Sequence, residues 1–150
     1  MKIISIFAAS LAWLLAAATL ALLVLGPSPV MPFRPADAQS VRSVVEGQLD
    51  AFAQDDAARA FALAAPNVRQ AVGTAPVFMA MVRRNYPVVY RPASVVFLKP
   101  DAEGDQVIQR VQMTDASGDA WLVIYSLQRQ KSKAWRITGC QVVSNKGHMA

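Results

Sequence analysis

The chain predicts an α+β domain carried behind one long apolar segment, and three observations lead there. Residues 3 to 25 carry no charge, and from Val41 to Arg84 apolar side chains recur three and four apart. From Ala93 to Val143 the period changes to alternation, in runs rich in β-branched and aromatic residues divided by short polar turns. Helices followed by an antiparallel sheet predict two to three helices packed on a curved, four-stranded meander.

The apolar segment fixes the compartment. Twenty-three uncharged residues at about 1.5 Å each give roughly 35 Å of helix, enough to cross a hydrocarbon core of about 30 Å. A cleavable signal has a shorter core with its small-residue site close behind, whereas the best such site here, Ala36-Asp37-Ala38 before Gln39, lies well past Leu25. The leading expectation is therefore a transmembrane anchor over residues 3–25 with the domain outside, and cleavage near Ala38 is the alternative. Residues 26–38 carry prolines at positions 27, 29, 32 and 35 and read as an extended linker. A single domain over residues 39–145 and a short disordered tail, 146–150, complete the expected organisation.

Within the domain, Val41, Val44, Val45, Leu49, Phe52 and Ala53 form one stripe and predict the first helix. Asp55 and Asp56 interrupt it and supply caps for a second helix through Ala57 to Ala64, which Pro66-Asn67 is expected to end. Thr74-Ala75-Pro76 is a helix-start signature leading into Val77 to Arg84, with Phe78, Met81 and Val82 inward. The prolines of Tyr86-Pro87-Val88-Val89-Tyr90-Arg91-Pro92 predict extended backbone from there into the sheet. Ala93–Lys99, Gln106–Thr114, Ala120–Gln130 and Ala134–Val143 are the expected strands. Alternation puts Val107, Val111 and Met113 on one face, then Trp121, Val123, Tyr125 and Leu127, then Trp135 with Ile137. The third strand is apolar on both sides and is expected near the sheet's centre.

Composition narrows the function. Removing residues 1–38 from the chain of 150 leaves 112, one modest domain with one core. A single cysteine, Cys140, excludes an internal disulfide and reads as a small buried apolar residue. Taking Lys2, Arg34 and Asp37 from the 15 basic and 10 acidic residues leaves 13 against 9, and no nucleic-acid motif accompanies that modest excess. Anionic lipid headgroups are the better expected partner for it. Arg129, Lys131, Lys133 and Arg136 gather at one hairpin, read as a solubilising turn with headgroup contact as the second reading.

Several motifs carry a resemblance. Gln48-Leu49-Asp50-Ala51-Phe52, Asp55-Asp56 with Ala60-Phe61, Ala65-Pro66-Asn67-Val68-Arg69, Tyr86-Pro87-Val88-Val89-Tyr90-Arg91-Pro92 and Trp135-Arg136-Ile137-Thr138-Gly139-Cys140 are similar to an uncharacterised bacterial family, domain of unknown function 4864. The order of elements also resembles the nuclear transport factor 2-like cone fold. The family resemblance implies no activity, and the cone fold hosts enzymes, ligand binders and interaction modules alike. Its bacterial setting implies an inner-membrane protein with the domain in the periplasm, or a periplasmic one after cleavage.

Enzymes of the cone fold use an Asp or His base. The only histidine, His148, stands in the tail, so the weak catalytic candidates are Asp55 and Asp56, turned inward at the cone mouth. The ligand-binding candidates are Tyr86, Tyr90 and Arg91 at a pocket mouth, with Arg91 taking a carboxylate or phosphate, and Trp135 as an aromatic wall. No metal-ligand spacing and no cofactor motif is present. The leading expectation is a membrane-tethered, non-enzymatic module that binds a small apolar or acidic ligand or an envelope protein. A small-molecule isomerase or hydrolase-like enzyme is the runner-up, and a homodimerising structural module the third reading.

Overall fold

The computed structural model describes Gly26 and residues 31–145. The expected membrane segment, most of the linker's first half and the tail lie outside those residues. Among the described residues no helix is long and apolar enough to cross a membrane.

Among the described residues five helices precede a five-stranded antiparallel sheet: α1 (Pro35–Ala53), α2 (Ala57–Ala62), α3 (Pro66–Val72), α4 (Ala75–Asn85) and α5 (Pro87–Tyr90), then β1 (Ser94–Phe97), β2 (Asp101–Glu103), β3 (Gln106–Thr114), β4 (Ala120–Arg129) and β5 (Trp135–Ser144). The α+β class and the order of helices before sheet are as the sequence predicts, and four expectations need correction. Helix α1 starts at Pro35, inside the expected linker, because a proline in the first turn loses no hydrogen bond and Asp37 Oδ2 accepts the Arg34 N–H at 2.7 Å. By the same physics Pro66 opens α3 rather than ending the pair, and Pro87 opens the short α5 where extended backbone was expected. The first expected strand, Ala93–Lys99, is shortened to β1, and the segment 101–105 expected as a turn contributes the extra strand β2; both pair with β3, with Leu98-Lys99-Pro100 between them.

The sheet order is β1-β3-β4-β5, so β4 is internal as its two apolar faces require. Val107, Val111, Met113, Val123, Tyr125, Leu127, Trp135 and Ile137 are buried on the face that the helices cover, where Val41, Val45, Leu49 and Phe52 of α1 meet Phe78 and Val82 of α4. Between Ser126 and Leu127 the β4–β5 register shifts, so that Ile137 faces Leu127 but Cys140 faces Tyr125. The extra residue changes which β5 positions point inward, from Trp135 and Ile137 to Cys140 and Val142. The same region is pinned from outside: Ala65 N–H donates to Ile137 O at 2.8 Å and Ile137 N–H to Leu63 O at 3.0 Å.

Candidate functional site

Helix α1 ends in a Schellman turn. Asp56 N–H donates to Ala51 O at 2.8 Å and Asp55 N–H to Phe52 O at 3.1 Å, with Asp55 at φ 54 in the left-handed position usually held by glycine. Aspartate is among the few side chains that tolerate this conformation. Asp56 caps the next helix, accepting the Arg59 N–H at 3.0 Å. The two candidate catalytic carboxylates are thus both helix-terminus residues.

The left-handed turn throws the Asp55 carboxylate outward rather than into the core. It accepts the Tyr90 hydroxyl, Arg83 Nη2 at 3.2 Å and Arg91 Nη2 at 3.1 Å. The Tyr90 hydrogen bond holds its pKa below the usual aspartate value; desolvation opposes this, and the Arg91 and Arg83 charges add to the lowering. A carboxylate so stabilised is a poorer base than a free one. Arg91 also donates to Ala53 O, and both arginines lie over the Tyr90 ring, 5.1 Å away for Arg83 and 4.6 Å for Arg91. The result is a half-exposed clasp that ties the end of α1 to α5. Arg91 is engaged by the protein itself, through Asp55 and the Ala53 carbonyl, and its side chain stays half-exposed.

The predicted ligand residues separate into three places. Tyr90 and Arg91 border an open groove of about 450 Å³ between α1 and β1, with Arg42, Glu46 and Phe97. Trp135 is buried between the Phe33 ring, whose centroid is 6.0 Å away, and the Arg129 guanidinium at 4.8 Å. Tyr86 alone reaches a pocket between helices and sheet, of about 120 Å³, walled by Phe52, Phe78, Met81, Val82, Val89, Ile137 and Cys140. Among the described residues no carboxylate, histidine, lysine or arginine lines it.

The polar residues that matter were overlooked in the sequence pattern. Gln48 sits on the α1 stripe, three residues after Val45 and four before Phe52, and is only 4% exposed. Its Nε2 donates to Ala60 O at 3.0 Å, and the side chain lines the pocket with its amide oxygen accepting no hydrogen bond from the described residues. Cys140 stands across from it, and burial pushes its thiol up to about 12, with the neighbouring Tyr125 hydroxyl pulling weakly the other way. The Tyr125 hydroxyl is fully buried without a geometrically good hydrogen bond among the described residues.

Arg129, expected in a solvated turn, is the second surprise. It continues the inward alternation of Trp121, Val123, Tyr125 and Leu127, and its side chain is 4% exposed. Its Nη2 donates to Asp37 Oδ2 at 3.3 Å, and its Nε stands 3.3 Å from Asp105 Oδ1. Asp37 would be raised by desolvation, but the Arg34 N–H and then the Arg129 and Arg34 charges outweigh it and leave the carboxyl below its ordinary value.

A family model described as Domain of unknown function (DUF4864) matches residues 34–150. The chain belongs to this family. Its matched region starts at Arg34, the N-cap of α1. Among curated proteins none matches the chain.

Proposed function

We propose that this member of the DUF4864 family is a membrane-tethered, non-enzymatic binding module of the cell envelope, whose site is the pocket between α1, α4 and β5. The observation that carries this is the buried Gln48 side chain, its Nε2 held by Ala60 O, on the wall of a mostly apolar pocket of about 120 Å³ that Tyr86 and Thr138 also line. A cavity of about 150 Å³ lined by aliphatic and aromatic groups accepts benzene, so the space suits a ring or a branched aliphatic group. Gln48 offers an acceptor, which suits a ligand, or a partner's side chain, with one hydroxyl or N–H on its apolar body. An acidic ligand would bring an unpaired charge into a site without a cation. An enzyme of proton transfer has no base there, since Asp55 is committed to the clasp and Asp56 to its cap.

The test uses phenol against benzene as probes on the purified full chain, read by thermal shift, together with native mass spectrometry of gently prepared protein. Phenol is expected to raise the melting temperature more than benzene does, and Gln48→Leu to remove that preference. Val68→Trp, which fills the pocket from α3, is expected to abolish both. A bare native mass together with no shift from either probe would sink the binding reading.

The dimeric reading has an observation of its own. On the sheet face away from the helices, Val96, Gln112, Leu122 and Val143 form one cross-strand row, and Val96 and Val143 are 54% and 47% exposed. The same native mass separates it: a doubled mass favours pairing.

A further inference from the structure

Where the linker enters the domain is defined by contacts. Lys133 Nζ lies 3.0 Å from Met31 Sδ, Phe33 packs edge-on against Trp135, and Asp37 is held by Arg129. These three partners of the entering chain all belong to the β4–β5 hairpin, and that hairpin is fixed beside Met31. Six peptide units from Leu25 to Met31 reach at most about 20 Å. If residues 3–25 span the bilayer, as the proposed function holds, the hairpin is the end of the domain held next to it.

The charge at that end fits the position. Lys131 and Lys133 are exposed at the hairpin tip, and exposed Arg34 and Lys99 stand beside the start of α1. Asp37 and Asp105 at this end face Arg129, and Asp101 pairs with Arg110, leaving Glu103 as the carboxylate with no ion pair among the described residues. The opposite end of β4 carries the turn of Asp115 and Asp119. Lys133 moreover occupies a left-handed position, φ 72, where glycine or asparagine fits with less strain. We propose that the β4–β5 hairpin, with Lys131 and Lys133 at its tip, rests on anionic lipid headgroups and orients the domain on the membrane.

The experiment keeps the full chain, in nanodiscs of phosphatidylcholine with or without phosphatidylglycerol. In a Cys140→Ala background a fluorophore is placed at Ser132→Cys or, at the other end of β4 about 30 Å away, at Ser117→Cys, and energy transfer to headgroup-labelled lipid is read. Transfer is expected at the hairpin site in the anionic discs, with little at the far turn. Lys131→Gln and Lys133→Gln are each expected to lower the contacting fraction about fivefold, and 0.5 M salt to do the same through screening. Equal transfer at both sites, or hairpin transfer indifferent to lipid charge, salt and both lysines, would overturn the proposal while leaving the tether intact. A chain whose intact mass begins at Gln39 and does not enter the discs overturns the tether reading, and this proposal with it.

Discussion

Replacing Asp37 with Asn tests whether the start of α1 belongs to the fold. The side chain it deprives, Arg129, is 4% exposed, and the bond to Asp37 Oδ2 at 3.3 Å is its hydrogen bond to another side chain. Asp105 remains 3.3 Å from Nε but without hydrogen-bond geometry, so the charge keeps a Coulombic partner and loses its directional one. The cost then lies below the roughly 3–5 kcal/mol of a buried charge stripped of its partner and near the upper end of roughly 1.5–3 kcal/mol for a hydrogen bond to a charged group. For a domain of this size about 2.5 kcal/mol corresponds to a fall of about 10 °C in melting temperature. Chemical denaturation of Asp37→Asn, Arg129→Met and the double variant at pH 7 reads it: the double variant should lose at least about 1 kcal/mol less than the two single losses combined. The pH dependence carries the same sign. A carboxyl held below its ordinary value in the fold takes up its proton later than in the unfolded chain, so its contribution is complete above about pH 4 and drains away as pH falls through the folded value. The gap between the native protein and Asp37→Asn should therefore narrow on acidification below about pH 4. Additive losses, or a melting temperature unchanged at pH 7, would refute the buried pair as a structural element.

A chain starting at Gln39 lacks both Phe33 and Asp37, so it should melt below Asp37→Asn in circular dichroism; equal melting would mean that Phe33 adds nothing. At position 55 the backbone and side-chain roles separate: Asp55→Gly keeps the left-handed turn and loses the clasp, whereas Asp55→Ala loses both and should melt lowest, with Asp55→Asn closest to the native protein. A reversed order between glycine and alanine would contradict the Schellman assignment. Cys140, with its thiol pushed up to about 12, should react with a maleimide at pH 7.5 about a thousandfold more slowly than an ordinary thiol near 8.5; labelling at the ordinary rate would show the pocket wall to be open.

The helical stripe and the strand alternation were legible because each rests on a local period, 3.6 or 2, that survives into the folded chain. The inward rows of β3 and β4, the internal place of β4 and the Thr74 cap of α4, whose hydroxyl accepts the Val77 N–H at 3.4 Å, all follow from such periods and from short-range chemistry. Proline was the weak point. It stops a helix or starts one according to which side of it the neighbours turn, and at Pro35, Pro66 and Pro87 the chain starts one.

The site was less legible than the fold. Gln48 and Arg129 each stand on an apolar row that the pattern had already found, and their polarity made them look like interruptions rather than buried groups with distant partners. Asp37 meets Arg129 across 92 positions of sequence, and Asp55 meets Arg91 across 36. By itself the sequence determined the class, the order of helices before sheet, the inward faces and the family motifs, because these depend on neighbours along the chain. The pocket behind Gln48, the clasp that joins Arg91 to Asp55 and the docking of Met31 to Asp37 against the β4–β5 hairpin were decided only by the tertiary structure. Each depends on which of several possible partners a charge or an amide reaches once the helices close over the sheet, and that choice is made by distance and desolvation in three dimensions.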